Sequence, residues 1–213
     1  MQKCFHNVGS KQHRAGATHP KIEDIPLKGF LLGVIVTLLV IAIGVYVYFS
    51  GGYAPVATSA QAMPFEKKLA NMALHARVEK EMPKTVPIQP SEENYSAGAH
   101  EYLEHCAVCH GVPNQEQTAI AKGEFPKPPH LFKGKGVTDD PPNETYWKIA
   151  NGIRLTGMPA FDKSLSETEI WQISLLLANA DKLPATVTSM LSNGSQTLTS
   201  PEQPNAAVSP NKK

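Results

Sequence analysis

The chain has 213 residues, 41% of them hydrophobic and 18% charged, with a formal net charge of +1. Its length bounds it to one domain or two, and neither the balanced charge nor any motif suits a nucleic-acid binder. The apolar residues are unevenly spread along the chain.

Residues 1–28 form a polar segment carrying Lys3, Lys11, Arg14, Lys21 and Lys28, with Cys4, His6, His13 and His19 at spacings that match no metal-binding pattern. A mobile tail is expected there. Residues 29–50 contain an uncharged run of twenty residues, Phe30 to Phe49, long enough as a helix to cross the roughly 30 Å core of a bilayer. Basic residues crowd its N-terminal side, whereas Ser50 to Glu66 contains none. The positive-inside rule therefore puts the N-terminus in the cytoplasm and the rest of the chain outside it, as a single-pass protein. Tyr46, Tyr48, Phe49 and Tyr53 cluster at the outer end as an interfacial belt would. Ala60-Gln61-Ala62 has the form of a signal-peptide cleavage site. The apolar run is longer than a signal core and ends well before that site, which favours an uncleaved anchor. Gly29 and Gly33 make a GxxxG too weak to carry an argument.

Residues 51–90 read as a linker with a short amphipathic helix. Pro64 marks its start, and Phe65, Leu69, Met72 and Ala76 recur at helical spacing, a stripe for lipid headgroups or for the following domain. Pro83, Pro87 and Pro90 then stiffen the chain. Residues 91–184 carry the pattern of an all-α domain with proline-rich loops. A first helix begins near Ser91, with Tyr95, Gly98, Tyr102, Cys106 and Cys109 along one face. A middle helix runs from Asn143 to Asn151 and stops at Gly152. Ser166 and Glu169 fit a capping box that starts the last helix, with Leu165 and Ile170 placed as a hydrophobic staple. Residues 185–213, rich in Ser, Thr, Asn, Gln and Pro, read as a disordered tail.

The chemistry concentrates in His105-Cys106-Ala107-Val108-Cys109-His110-Gly111. A disulfide would leave the adjacent histidine unexplained, and zinc would lack a second cysteine pair, since Cys4 lies across the membrane. A thioredoxin-like pair would need a βαβ context. Cys-x-x-Cys-His as a haem attachment site uses all three side chains: two thiols add to the haem vinyl groups, and the imidazole of His110 turns to the iron. One covalent haem c follows. Met158, in the glycine- and proline-bounded loop Asn151 to Phe161, is the expected sixth ligand. His130 is the rival inside the domain.

The stretch from Ser91 to Pro184 resembles a class I mono-haem c-type cytochrome, with "YLEHCAVCHG" as the attachment signature and "NGIRLTGMPAF" as the methionine-ligand loop. The resemblance implies that Gly98 and Tyr102 meet the last helix. Within Pro129-His130-Leu131 it implies that the Pro129 carbonyl accepts a hydrogen bond from His110, with His130 as the intervening residue. It also brings Trp147 and Arg154 toward the haem propionates. Trp171 matches a common aromatic of the family, while Leu176 stands where many members have tyrosine. The implied function is electron transfer between redox proteins without substrate chemistry, by a carrier anchored in the inner membrane with its haem domain in the periplasm. A haem-based sensor with a labile sixth ligand, or a fixed haem subunit of a dehydrogenase or oxidase, are the alternatives. A sensor would have only the 28-residue cytoplasmic segment for output. Ser91 to Pro184 holds eight Lys and Arg against thirteen Asp and Glu, yet Lys122, Lys127, Lys133 and Lys135 lie close together, a candidate docking patch.

Overall fold

The computed structural model describes residues 27–134 and 138–194. The N-terminal tail up to residue 26, Lys135 and the last nineteen residues lie outside the described residues. The described chain is all-helical and falls into two units that divide after Ala54.

The first unit contains α1 (Leu27–Ser50), 24 residues with no buried side chain. By length and composition it can cross a bilayer. Thr37 returns its hydroxyl to the Gly33 carbonyl at 2.9 Å, the local bond that hides a polar group in an apolar helix.

The second unit begins with α2 (Glu66–Glu81). Glu66 starts this helix by accepting the Met63 N–H at 2.8 Å. The expected stripe of Phe65, Leu69 and Met72 is exposed, and the buried residue is Val78. The buried face of α2, which carries Val78, is therefore not the one that periodicity singled out. Asn143 donates to the Pro83 carbonyl at 3.1 Å and fixes the exit of that helix.

The core forms where α3 (Glu92–His105) crosses α7 (Glu167–Ala178), with α6 (Pro142–Asn151) against α7 and α8 (Ala185–Gly194) against α3. Ser91 caps α3 by accepting the Asn94 N–H, with Glu92 and Glu93 in the first turn where the helix dipole favours them. At Gly98 the two helices touch backbone to backbone: a methyl group there would collide with the carbonyl of Gln172. Gln172 donates to Asn94 at 3.1 Å one turn away and sets the register of the crossing. Tyr102, Ile173 and Leu176 are fully buried in this contact, so an aliphatic side chain fills the core at position 176. Trp171 stacks on Tyr146 with ring centroids 4.2 Å apart, joining α7 to α6. The capping box of α7 is fully formed, with Ser166 and Glu169 each bonding the other's backbone.

Two expectations need correction. The face running from Tyr95 through Cys109 is not continuous, since α3 ends at His105 and Cys109 belongs to the separate turn α4 (Ala107–His110). The expected disordered tail from 185 is helical as far as Gly194. Val187 and Leu191, four residues apart, are completely buried, and Thr186 bonds Glu92 at 2.6 Å. Average composition concealed two apolar residues on one helical face.

Gly98→Ala is expected to destabilise the domain by roughly 1–3 kcal/mol, as forced overpacking does, read from denaturant unfolding. Ser166→Ala should cost about 1 kcal/mol by the same measurement. The bonds from Ser166 hold the Glu169 carboxyl below its ordinary range. Its contribution is therefore present above the unfolded carboxylate pKa and lost as the pH falls through the lowered folded value. Glu169→Gln should flatten the acid limb of a stability–pH profile.

Candidate functional site

The Cys-x-x-Cys-His segment folds as one tight turn. The Cys106 N–H closes α3 on the Tyr102 carbonyl at 2.9 Å, and the Cys106 carbonyl then accepts from Cys109 and His110 at 3.1 and 2.9 Å. Gly111 ends the turn at φ 75°, a conformation natural to glycine, and a Cβ there would sit 2.6 Å from His130 Nε2. The two thiols are free. Burial, then the neighbouring Cys109 and Glu101 charges, pushes Cys106 up to about 12. Burial and the Glu124 carboxylate push Cys109 up to about 11. Both are thiols at neutral pH.

His110 is held from the far side of the turn. Its Nδ1 lies 2.9 Å from the Pro129 carbonyl oxygen, so the proton sits on Nδ1 and the Nε2 lone pair is left available. Burial lowers the pKa of His110, opposed by the Pro129 bond and the Glu124 charge. The Pro129 loop is in turn stitched to the motif. Leu131 N–H donates to the His110 carbonyl at 3.2 Å, and the Gln117 amide donates to the carbonyls of Cys109 and Pro128 at 3.1 and 2.9 Å. The buried Tyr102 hydroxyl donates to the Gly111 carbonyl at 2.7 Å. His130 uses both ring nitrogens in this loop: Nδ1 lies 3.2 Å from the Phe132 N–H and Nε2 lies 2.9 Å from the Gln115 carbonyl. Neither nitrogen is left for a metal.

Met158 comes from the loop that follows α6. Gly152, at φ 65°, turns the chain out of α6, and a Cβ there would collide with the Pro159 backbone at 2.6 Å. The loop closes through Ile153 N–H to the Met158 carbonyl at 3.2 Å and Thr156 Oγ1 to the Ile153 carbonyl at 2.6 Å. Phe161 and Asp162 N–H groups bond back to Ile149 and Ala150. The Met158 side chain is half-buried against the apolar cluster that Cys106 also joins. Arg154 is exposed, next to Leu155 at 91% exposure. Trp147 is half-buried on α6, and its carbonyl accepts from Asn151 at 2.9 Å.

Glu124, which ends the short helix α5 (Ala119–Gly123), was not singled out by sequence. Its Oε1 accepts from Cys109 Sγ at 3.3 Å, while a Cβ at Gly157 would lie 2.7 Å from Oε2. One carboxylate thus bridges the second cysteine and the methionine loop, across 15 residues on one side and 33 on the other. No local pattern announces such a contact, and the same holds for Gln117.

The donor set is two protonated thiols on one turn, an imidazole with one nitrogen open, and a thioether in a loop that reaches the second cysteine through Glu124. That chemistry fits a haem c. The family model for cytochrome C oxidase, cbb3-type, subunit III, matches residues 93–176. Those residues form a cytochrome c domain. Such a domain carries haem c covalently, with its iron, and works by electron transfer. Among solved structures, the chain is similar to a chain of the Kuenenia stuttgartiensis reducing HAO-like protein complex, with 28% identity and a TM-score of 0.39. The match covers 48% of this chain and 52% of that one, so about half of each is shared. No curated protein matches the chain.

Tyr102→Phe removes the donor to a buried carbonyl and should destabilise the cytochrome c domain by about 1–3 kcal/mol. The comparison is of wild-type and variant denaturation midpoints at equal slope.

Proposed function

We propose that this protein is a membrane-anchored electron carrier whose haem is joined to Cys106 and Cys109 and ligated by His110 and Met158. The observation that carries the reading is the His110 imidazole. Its Nδ1 proton is engaged by the Pro129 carbonyl, which leaves Nε2 as the one ring nitrogen able to bind a metal. A bound haem would supply one-electron redox chemistry, and His110 and Met158 would hold its iron. Pro129 fixes the tautomer and strengthens the histidine as a donor. Met158 offers a soft thioether that favours the reduced metal. Trp147 and Arg154 are assigned to the haem carboxylates by resemblance alone. The helix α1 would hold the domain at the inner membrane, N-terminus inside and the cytochrome c domain in the periplasm.

Partner docking is supported by the edge where the Glu124 segment meets the methionine loop. Ile120 and Phe125 are exposed on the first segment, beside Lys122 and Lys127, and Leu155 is exposed on the second. Lys133 is paired with Glu116, which takes it out of the expected lysine patch. A second reading has its own support: the matching family model describes an oxidase subunit, so the domain would be a fixed relay in a complex rather than a shuttle. Co-purification of a stoichiometric membrane partner from gently solubilised cells separates the two.

The primary test is the absorption spectrum of the reduced protein with and without carbon monoxide. Wild type should show haem c bands that carbon monoxide leaves unchanged, whereas Met158→Ala should bind it and shift the bands. A wild-type shift would favour the sensor reading with a labile sixth ligand. A Cys106→Ser, Cys109→Ser double variant should lose haem-stained protein on a denaturing gel, because no covalent link remains.

A further inference from the structure

We propose that His130 is a positioning residue that tunes the reduction potential through the Pro129–His110 hydrogen bond. The inference rests on His110 being an iron ligand. His130 sits between Pro129, whose carbonyl receives the His110 Nδ1–H, and Leu131, whose N–H donates to the His110 carbonyl. Both backbone groups by which this loop grips His110 therefore flank one residue.

The His130 side chain fixes that residue at three points. Nδ1 accepts the N–H of Phe132, two residues on, which is the geometry an asparagine or aspartate side chain uses to close a turn. Nε2 donates to the Gln115 carbonyl and so ties the turn to the loop that follows the haem-attachment motif. The ring also lies against Gly111, where any Cβ would displace it. Phe132, whose N–H the ring holds, meets Tyr102 edge-on with centroids 5.2 Å apart, and Tyr102 bonds the Gly111 carbonyl. The result is a closed ring of contacts through Gly111, Tyr102, Phe132 and His130, and Pro129 is anchored to it.

This arrangement requires an imidazole that accepts at Nδ1 and donates at Nε2, the same neutral tautomer throughout. Loss of the side chain frees the Pro129 carbonyl to move away from His110. A weaker bond to Nδ1–H makes the ligand a poorer electron donor, which favours the reduced metal.

The test uses the full-length, haem-loaded protein and compares wild type with His130→Ala, His130→Asn and His130→Phe. Asparagine can restore the bond to the Phe132 N–H; phenylalanine keeps the bulk without any bond. Potentiometric titration should show the alanine and phenylalanine variants shifted upward, their reduced-to-oxidised ratio at fixed poise raised above that of wild type. His130→Asn should stay near wild type. Thermal unfolding of each variant is measured alongside. If the alanine and phenylalanine variants lose stability but keep the wild-type potential, His130 is only structural and the proposal fails. If all three shift alike, the turn bond is not the link and the proposal also fails. The ligand reading is tested apart from these variants: a His110→Ala protein that keeps the wild-type spectrum and potential would overturn that reading, and the His130 inference with it.

Discussion

The backbone contact between α3 and α7 at Gly98 is the constraint on which the rest of the domain depends. Two helices can meet carbonyl to Cα only where one of them has no side chain, and Gly98 against Gln172 is that place. The close approach fixes the angle at which α3 leaves the core. Tyr102 is buried one turn later, and the chain breaks at Cys106 so that the attachment turn hangs from the end of a rigid helix. A glycine in a helix interior costs about 1 kcal/mol relative to alanine, and the crossing it permits offsets that cost with fully buried Tyr102, Ile173 and Leu176.

From that anchored end, hydrogen bonds to backbone carbonyls organise the site. The residues Cys109, Gly111, Pro128 and Pro129 each offer a carbonyl to a side chain from elsewhere. None of these bonds joins two side chains, so the loop's path is fixed with little dependence on long flexible groups. The methionine loop follows the same logic, with Gly152 as its hinge and Thr156 folding the tip back on itself. Glu124 spans the gap between the two halves.

Much of this was legible in the sequence because its signals are local. The capping box at Ser166 and Glu169 needs three residues' spacing and nothing else, and it is formed as read. The helix stop at Gly152 and the start at Ser91 are equally local. The attachment motif is five adjacent residues. The readings that went astray asked composition to report packing. Residues 185–194 look polar on average, yet Val187 and Leu191 find a place on α3. The stripe of α2 was read correctly as periodic, but which face meets the domain depends on a neighbour that periodicity does not contain.

The sequence by itself determined the all-α class, the apolar span, the helix starts and the chemistry of a covalent haem, because each is written in spacing within a few residues. Tertiary structure alone decided that His130 is occupied at both nitrogens and that Glu124 stands between Cys109 and the methionine loop. It also decided that α8 completes the core. These depend on which segments approach one another across tens of residues, and such proximity is set by the packing of helices rather than by any pattern along the chain.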